Sequence, residues 1–275
     1  MTAKGKARAA RGCVYAGAAF SAGVLVLLVG YILIKGIPHL TPELFALKYN
    51  SENVSLLPAL INTLLMTALA LLISVPFGVG AAIYLTEYAR RGNRLVKLVR
   101  TTAETLAGIP SIIYGLFGSL FFVVALHLER SLISGALTLA IMVLPILMRT
   151  TEEALLAVPD SYREGSFGLG AGRLRTTIKI VLPSAMPGIL SGVILAVGRI
   201  VGETAALIYT AGTVPEIAES LSDSARTLSV HMYAISQEGL YLNQSYATAV
   251  VLLVIVIGMN ALSGYLAKKI GGNKG

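Results

Sequence analysis

The chain has 275 residues, of which 55% are hydrophobic and 13% charged, with a mean hydropathy of +0.77. A soluble domain carries about 25% charged residues, so the composition excludes one and places the chain in a bilayer as a single compact unit. The net charge of +8 does not indicate nucleic acid, because the Lys and Arg residues sit in short connections between apolar runs, as membrane proteins arrange them. Cys13 is the only cysteine, which excludes an intrachain disulfide and a thiolate metal cluster. His39, His127 and His231 are scattered singly and offer no metal site.

The first apolar run begins at Cys13, behind Lys4, Lys6, Arg8 and Arg11, and ends at Ile34. It is too long for the roughly 7–15-residue core of a signal peptide, so a first span is expected over 14–34. Residues 1–13 then form a basic N-terminal segment. The second span lies within the uncharged stretch 56–86, which contains Pro76. The third is expected over 105–126, starting just after Glu104, with Pro110 and Ser111 kinking it and opening backbone polar groups to a cavity. The fourth is 131–148, with Pro145 near its end, and Arg149 follows at its border. The fifth, 185–208, carries two charges, and the sixth is 246–267. Residues 268–275 form a basic tail. The fold class is therefore all-α integral membrane, with a single transmembrane domain over 14–267.

Orientation follows from Lys and Arg in the connections. One side holds seventeen of them: Lys4, Lys6, Arg8 and Arg11; Arg90, Arg91, Arg94, Lys97 and Arg100; Arg149, Arg163, Arg173, Arg175 and Lys179; Lys268, Lys269 and Lys274. The other side holds four, Lys35, Lys48, Arg130 and Arg226, and Arg199 lies inside a span. This split puts both termini in the cytoplasm, and Glu87 and Glu104 flank a basic loop as interfacial partners. The outer side carries two long loops, about 35–55 and 209–245. The second is acidic, and a short helix is expected over 216–227.

The longest inner connection is 149–183. Pro159 suits the opening of a helix, and Asp160 and Glu164 favour its first turns through the helix dipole. Gly168, Gly170 and Gly172 end it. A second short helix over 173–181 is expected to break at Pro183 before the fifth span. A rigid knob joined to two membrane helices can pass on a push from a soluble motor. The segment 168–173 lacks the lysine of a phosphate-binding loop, so an ATPase would have to be a separate chain.

In the fifth span, LAVGRIVGETAAL carries Arg199 and Glu203. Each charge at bilayer depth costs about 2.5–3.5 kcal/mol on insertion scales and is retained with a partner or a watery cavity. At i and i+4 the two can face each other. Gly188, Gly192, Arg199, Gly202, Glu203 and Ala206 share one helical stripe about 100° wide. Two readings stand: a structural ion pair, or a substrate element in which Arg199 attracts an anion as a guanidinium fork and Glu203 orients or releases it.

GRIVGETAAL, together with Gly108-Ile-Pro-Ser-Ile-Ile-Tyr-Gly115, the run Leu137–Pro145 and the second-span run INTLLMTALALLISVPFGVGAAIYLTEYA, resembles the permease families of bacterial phosphate importers over about 56–267. The likeness is nearer the PstA family than the PstC family. Glu164-Gly165-Ser166, then Gly170, then Ile180-Val181-Leu182-Pro183, resembles the coupling loop of ABC importer permeases, with Gly165 and Ser166 where that family has alanines. The resemblance implies a type I permease fold. It implies docking positions at Glu164, Gly165, Ser166, Gly170, Leu182 and Pro183, and a substrate pathway past Arg199, Glu203, Thr204, Ser111 and Arg149. It implies a PstC-like second permease, two PstB-like ATPase subunits that use ATP and Mg, and a PstS-like periplasmic phosphate-binding protein. The chain itself would bind no cofactor and catalyse no reaction. Another oxyanion such as sulfate or molybdate remains an alternative substrate, because an Arg–Glu pair does not by itself select phosphate. An ion-coupled secondary transporter is the rival mechanism.

Overall fold

A computed structural model describes residues 3–90 and 92–271, so Arg91 and residues 272–275 of the basic tail lie outside the described residues. The described residues form eleven α-helices. Helix α1 (Ala3–Gly36) runs into two 3-10 turns, Ile37–His39 and Pro42–Phe45, which end on the outer loop. Helix α2 (Leu57–Ile83) passes Pro76 without a break and continues as a π-helical turn, Tyr84–Tyr88. Helix α3 (Arg94–Ala107) starts at Asn93, whose side chain accepts from Leu95 N–H and satisfies one orphan donor of the first turn. Helix α4 (Ser111–Gly118) continues as a wider π-helical segment, Ser119–Ala125.

Helix α5 (Leu132–Leu156) is the most enclosed span and packs on α2 along its length. Helix α6 (Asp160–Gly168) and helix α7 (Arg173–Thr176) form a hairpin. A π-turn, Thr177–Val181, leads into α8 (Leu182–Val201), which packs on α5 and on α11. Helix α9 (Ala205–Thr210), helix α10 (Leu228–Gln237) and helix α11 (Leu242–Gly271) complete the chain. Among the described residues, five helices are long and apolar enough to cross a bilayer, and the bent pair Arg94–Ala107 and Ser111–Ala125 makes six if it counts as one span.

Four expectations change. The third span does not begin after Glu104: α3 is a separate amphipathic helix, bent 103° from Ser111–Ala125. Its polar face carries Arg94, Lys97, Arg100 and Glu104, a charge density no bilayer core accepts, so the chain turns at 108–110 and enters afterwards. Pro110, lacking an N–H, caps α4, and Tyr114 Oη donates to the Leu106 carbonyl at 2.8 Å across the corner. Pro183 does not break the chain: the π-turn before it widens the backbone, and Pro183 sits in the first turn of α8, where a missing N–H costs nothing. The outer segment expected to be helical, 216–227, is irregular, and the helix forms just beyond it, at Leu228–Gln237. Backbone bonds from Leu132 N to Asp223 O, Ile133 N to Leu221 O and Ala225 N to Ala211 O hold that segment over the start of α5, so its polar groups are already paired. The fourth correction, the broken fifth span, belongs to the site below.

Three apolar clusters stack along the bundle. The middle one joins Met66, Tyr114, Leu139, Met142, Ala196, Ile200 and Leu207. The second, with Leu85, Met148, Leu155, Val181 and Ile189, lies at the hairpin end. The third, with Leu44, Leu56, Leu228 and Ala247, lies at the opposite end. Gly36 meets the Tyr246 and Val250 region of α11, so α1 and α11 run antiparallel. The starts of α1, the end of α11, α3 and the hairpin therefore share one end of the bundle.

Candidate functional site

The fifth span is broken where the sequence suggested one helix. Helix α8 ends at Val201, residues 202–204 are non-helical, and α9 restarts at Ala205. The Glu203 carboxylate explains the restart: its Oε1 accepts from Ala206 N–H at 3.1 Å and caps the new helix. Glu203 is buried, and its carbonyl accepts from Ser229 Oγ of α10. The i, i+4 geometry that would turn Glu203 toward Arg199 is therefore absent, and no ion pair joins them among the described residues. The shared stripe survives only in its α8 part. Gly188 packs against Ala154, and Gly192 packs so closely on Thr150 that a Cβ there would collide with the threonine hydroxyl. Ala206 packs instead against Gly115 of α4, where an added Cβ would lie 2.6 Å from the Ala206 Cα.

These contacts also give depth. Position 188 faces 154 and 192 faces 150 across antiparallel α8 and α5. Continuing that register places Arg199 opposite Val143, next to the midpoint of Leu132–Leu156. Arg199 thus lies near the middle of the span, about 10 Å along α8 from Gly192. Its Nε is buried without a hydrogen-bond partner. It lies within electrostatic reach of Tyr114, a residue that sequence reasoning did not single out because its place depends on α4 packing against α9 and α5. Next to it, Gly202 is exposed and Thr204 half-buried. Irregular backbone at membrane depth persists only where it is covered by protein or lines a watery cavity. A half-open helix break beside an unpartnered guanidinium can receive an anion without first displacing a resident carboxylate.

The other expected pathway residues are spread out. Ser111 is the first residue of α4, one turn before Tyr114. Arg149 lies within α5, not at its border, about two turns toward the hairpin end from Val143. It is exposed and its Nε donates to Glu153 Oε1 at 3.0 Å, four residues on.

The hairpin has a defined internal structure. Gly170 takes a φ of +81°, a conformation that carries the α6–α7 turn and strains any other residue. Glu164 and Gly165 are exposed, and nothing lies near a Cβ added at Gly165. Ser166 faces inward, with its Oγ 2.8 Å from Thr176 Oγ1, and ties α6 to α7. Leu182 and Pro183 lie at the start of α8, where Leu182 packs on the hairpin-end core and Pro183 is exposed.

One pairing escaped the sequence reading. Arg163 Nη2 donates to Glu87 Oε1 at 2.7 Å, and the two side chains are only 15% and 8% exposed. Arg163 also donates to the carbonyls of Leu155 and Val158. This guanidinium therefore joins the end of α2, the end of α5 and α6, and its hydrogen bond to Glu87, helped by the Glu87 charge, holds its pKa above the usual value. The signal was a carboxylate at the end of an uncharged run, but its partner is 76 residues away.

At the opposite end, Asn62 of α2 donates to the Glu216 carbonyl and accepts from Ala218 N–H, anchoring the outer segment. Arg226 lies over the Tyr49 ring, 5.7 Å from its centroid, and its Nη1 is 3.5 Å from His231 Nδ1. Burial, then the Arg226 charge, push the His231 pKa down to about 4. The neutral ring is thus the folded-state form. Stability from this residue is complete above about pH 6.5, the unfolded value, and is lost as pH falls toward 4, by up to about 3 kcal/mol. Replacing His231 by Leu should flatten the thermal-stability profile between pH 6.5 and 4. An unchanged slope would mean that the imidazole titrates normally.

An all-helical bundle with a helix broken beside a half-buried arginine whose Nε has no partner, and a pinned hairpin at one end, is built as a membrane transport component. Residues 74–272 match the family model described as "Binding-protein-dependent transport system inner membrane component", and the chain belongs to that family as a multi-pass inner-membrane protein. It is 35% identical to the "Probable ABC transporter permease protein YqgI" of Bacillus subtilis (strain 168), over 81% of each chain. It is 35% identical to the "Phosphate transport system permease protein PstA" of Haemophilus influenzae, over 83% of this chain and 82% of that one. In fold it is similar to a chain of a bacterial alginate ABC transporter solved in complex with an alginate pentasaccharide-bound periplasmic protein. The TM-score is 0.68 at 15% identity, covering 95% of this chain and 96% of that one.

Proposed function

We propose that this chain is a phosphate-translocating permease subunit of an ATP-driven importer, with the basic hairpin end and both termini in the cytoplasm. The observation that carries the reading is the unpartnered Arg199 guanidinium at mid-depth beside the helix break at 202–204. A travelling oxyanion supplies the acceptors that this donor lacks. The name of the Haemophilus influenzae relative supports phosphate as that oxyanion.

The chain performs no chemistry on its substrate. A periplasmic phosphate-binding protein delivers the anion to the outer loops. A PstC-like second permease covers the lipid-sized apolar faces and completes the pathway. A pair of ATPase subunits binds ATP and Mg and receives the hairpin at Glu164, Gly165 and Gly170. Ser166 contributes from inside by fixing α6 on α7, and Leu182 and Pro183 pass the motion into α8. Because Arg163 ties α6 to Glu87 at the end of α2, a push on the hairpin reaches two spans at once.

The test is ATP hydrolysis by the assembled importer in proteoliposomes. Phosphate with its binding protein should stimulate hydrolysis several-fold, while sulfate and molybdate leave it at the basal rate. Stimulation by sulfate alone would replace the substrate. Uptake that persists without any ATPase subunit would replace the mechanism.

A further inference from the structure

At the hairpin end, a cavity of about 710 Å³ opens between the π-turn that ends α2, the start of α3, and α6–α7. Its polar lining is strongly cationic. Arg90, Arg100, Arg163 and Arg173 line it against only Glu87 and Asp160. Both carboxylates already bond Arg163. Arg100 bonds Glu152, which lies outside the lining, through Nη2 only. Three donors are left over. Arg90 and Arg173 have no partner among the described residues, and Arg100 Nε is buried without one. A fourth is the hydroxyl of Thr86, also buried and unpartnered on the same wall.

Arg100 Nε and the Thr86 hydroxyl are buried without an acceptor, and the exposed Arg90 and Arg173 add unpaired positive charge beside them. Together they form a donor set in a cavity whose two carboxylates are both taken by Arg163. Guanidinium groups and a hydroxyl converging from different segments suit an anion with several oxygens around one centre. The cavity opens to one side, so an entering anion keeps part of its hydration. Its volume takes a phosphate with water, or a glycerophosphate head.

We infer that this cavity is a binding site for a phosphoryl anion, separate from the Arg199 pathway, that bridges the end of α2 (through Thr86 and Arg90) to the hairpin (through Arg173). The occupant is either free inorganic phosphate or the phosphodiester of an anionic lipid in the leaflet on the hairpin side. Bound there, it adds a second tie between the two elements that Arg163 and Glu87 already join. The site does not depend on which side the hairpin faces or on transport, so its failure is separate from failure of the proposed function.

The test uses the assembled importer carrying Arg199→Gln, which removes the pathway anion site. In nanodiscs of phosphatidylcholine alone, equilibrium binding of radiolabelled inorganic phosphate is compared with that of the same complex carrying Arg90→Gln and Arg173→Gln. In nanodiscs containing phosphatidylglycerol, native mass spectrometry counts the phosphatidylglycerol retained by each. Arg90 and Arg173 are exposed, and elution of both complexes as intact assemblies checks that folding is preserved. Loss of about tenfold in phosphate affinity identifies a free-anion site. Loss of one retained phosphatidylglycerol without a phosphate effect identifies a headgroup site. Thr86→Val should give a smaller loss in the same arm, about threefold, as expected for one neutral hydroxyl. If phosphate affinity and retained phosphatidylglycerol are the same with and without the two arginines, the inference is wrong.

Discussion

Replacing Arg199 by Gln should reduce phosphate uptake by about a hundredfold and leave the importer assembled and at least as stable. The two halves of this expectation have opposite physical origins. A guanidinium near mid-bilayer costs about 2.5–3.5 kcal/mol to insert, and its Nε recovers nothing from the surrounding protein. Removing the charge therefore relieves the fold. Transport loses a charge-assisted bond worth about 1.5–3 kcal/mol, which is one to two decades in rate. Arg199→Lys should fall between, because an ammonium keeps the charge but not the planar fork. Radiolabelled phosphate uptake and thermal unfolding of the purified complex measure the two quantities. Normal uptake by the Gln variant would remove Arg199 from the pathway. A large drop in melting temperature with it would make the arginine structural.

The second large effect is expected at Arg163. Arg163→Met leaves the Glu87 carboxylate buried without its cation and strips the carbonyls of Leu155 and Val158 of their donor. Breaking one side of a buried pair costs about 3–5 kcal/mol. The hairpin should loosen from α2, so ATP hydrolysis should continue without stimulation by phosphate. Removing both charges, as in Glu87→Gln with Arg163→Met, should recover much of the lost stability, because the uncompensated charge is gone. It should not restore stimulation, because the mechanical tie is still missing. Equal melting temperatures for the single and double variants would show that the pair contributes nothing as a pair.

Hydropathy and charge, read along the chain, suffice to find the apolar stretches behind the five candidate spans, the hairpin with its turn at Gly170, and the unusual charges of the fifth span. These signals are local: a bilayer demands about 20 apolar residues in a row, and a helix ends where glycine permits it. Sequence reading went astray wherever two distant segments had to meet. It drew α3 into the third span, although Tyr114 and Pro110 hold a 103° corner there. It ran the fifth helix through Glu203, although that carboxylate caps α9 and its carbonyl is taken by Ser229. It set Arg199 facing Glu203, because helical spacing assumes an unbroken helix. It left Glu87 with an unspecified interfacial partner, and only packing supplies Arg163. Composition decides that a residue such as Arg199 lies within the membrane. Whether it finds a partner there depends on how α4, α5 and α8 pack, since hydrogen bonds reach about 3 Å and their partners come from anywhere in the chain.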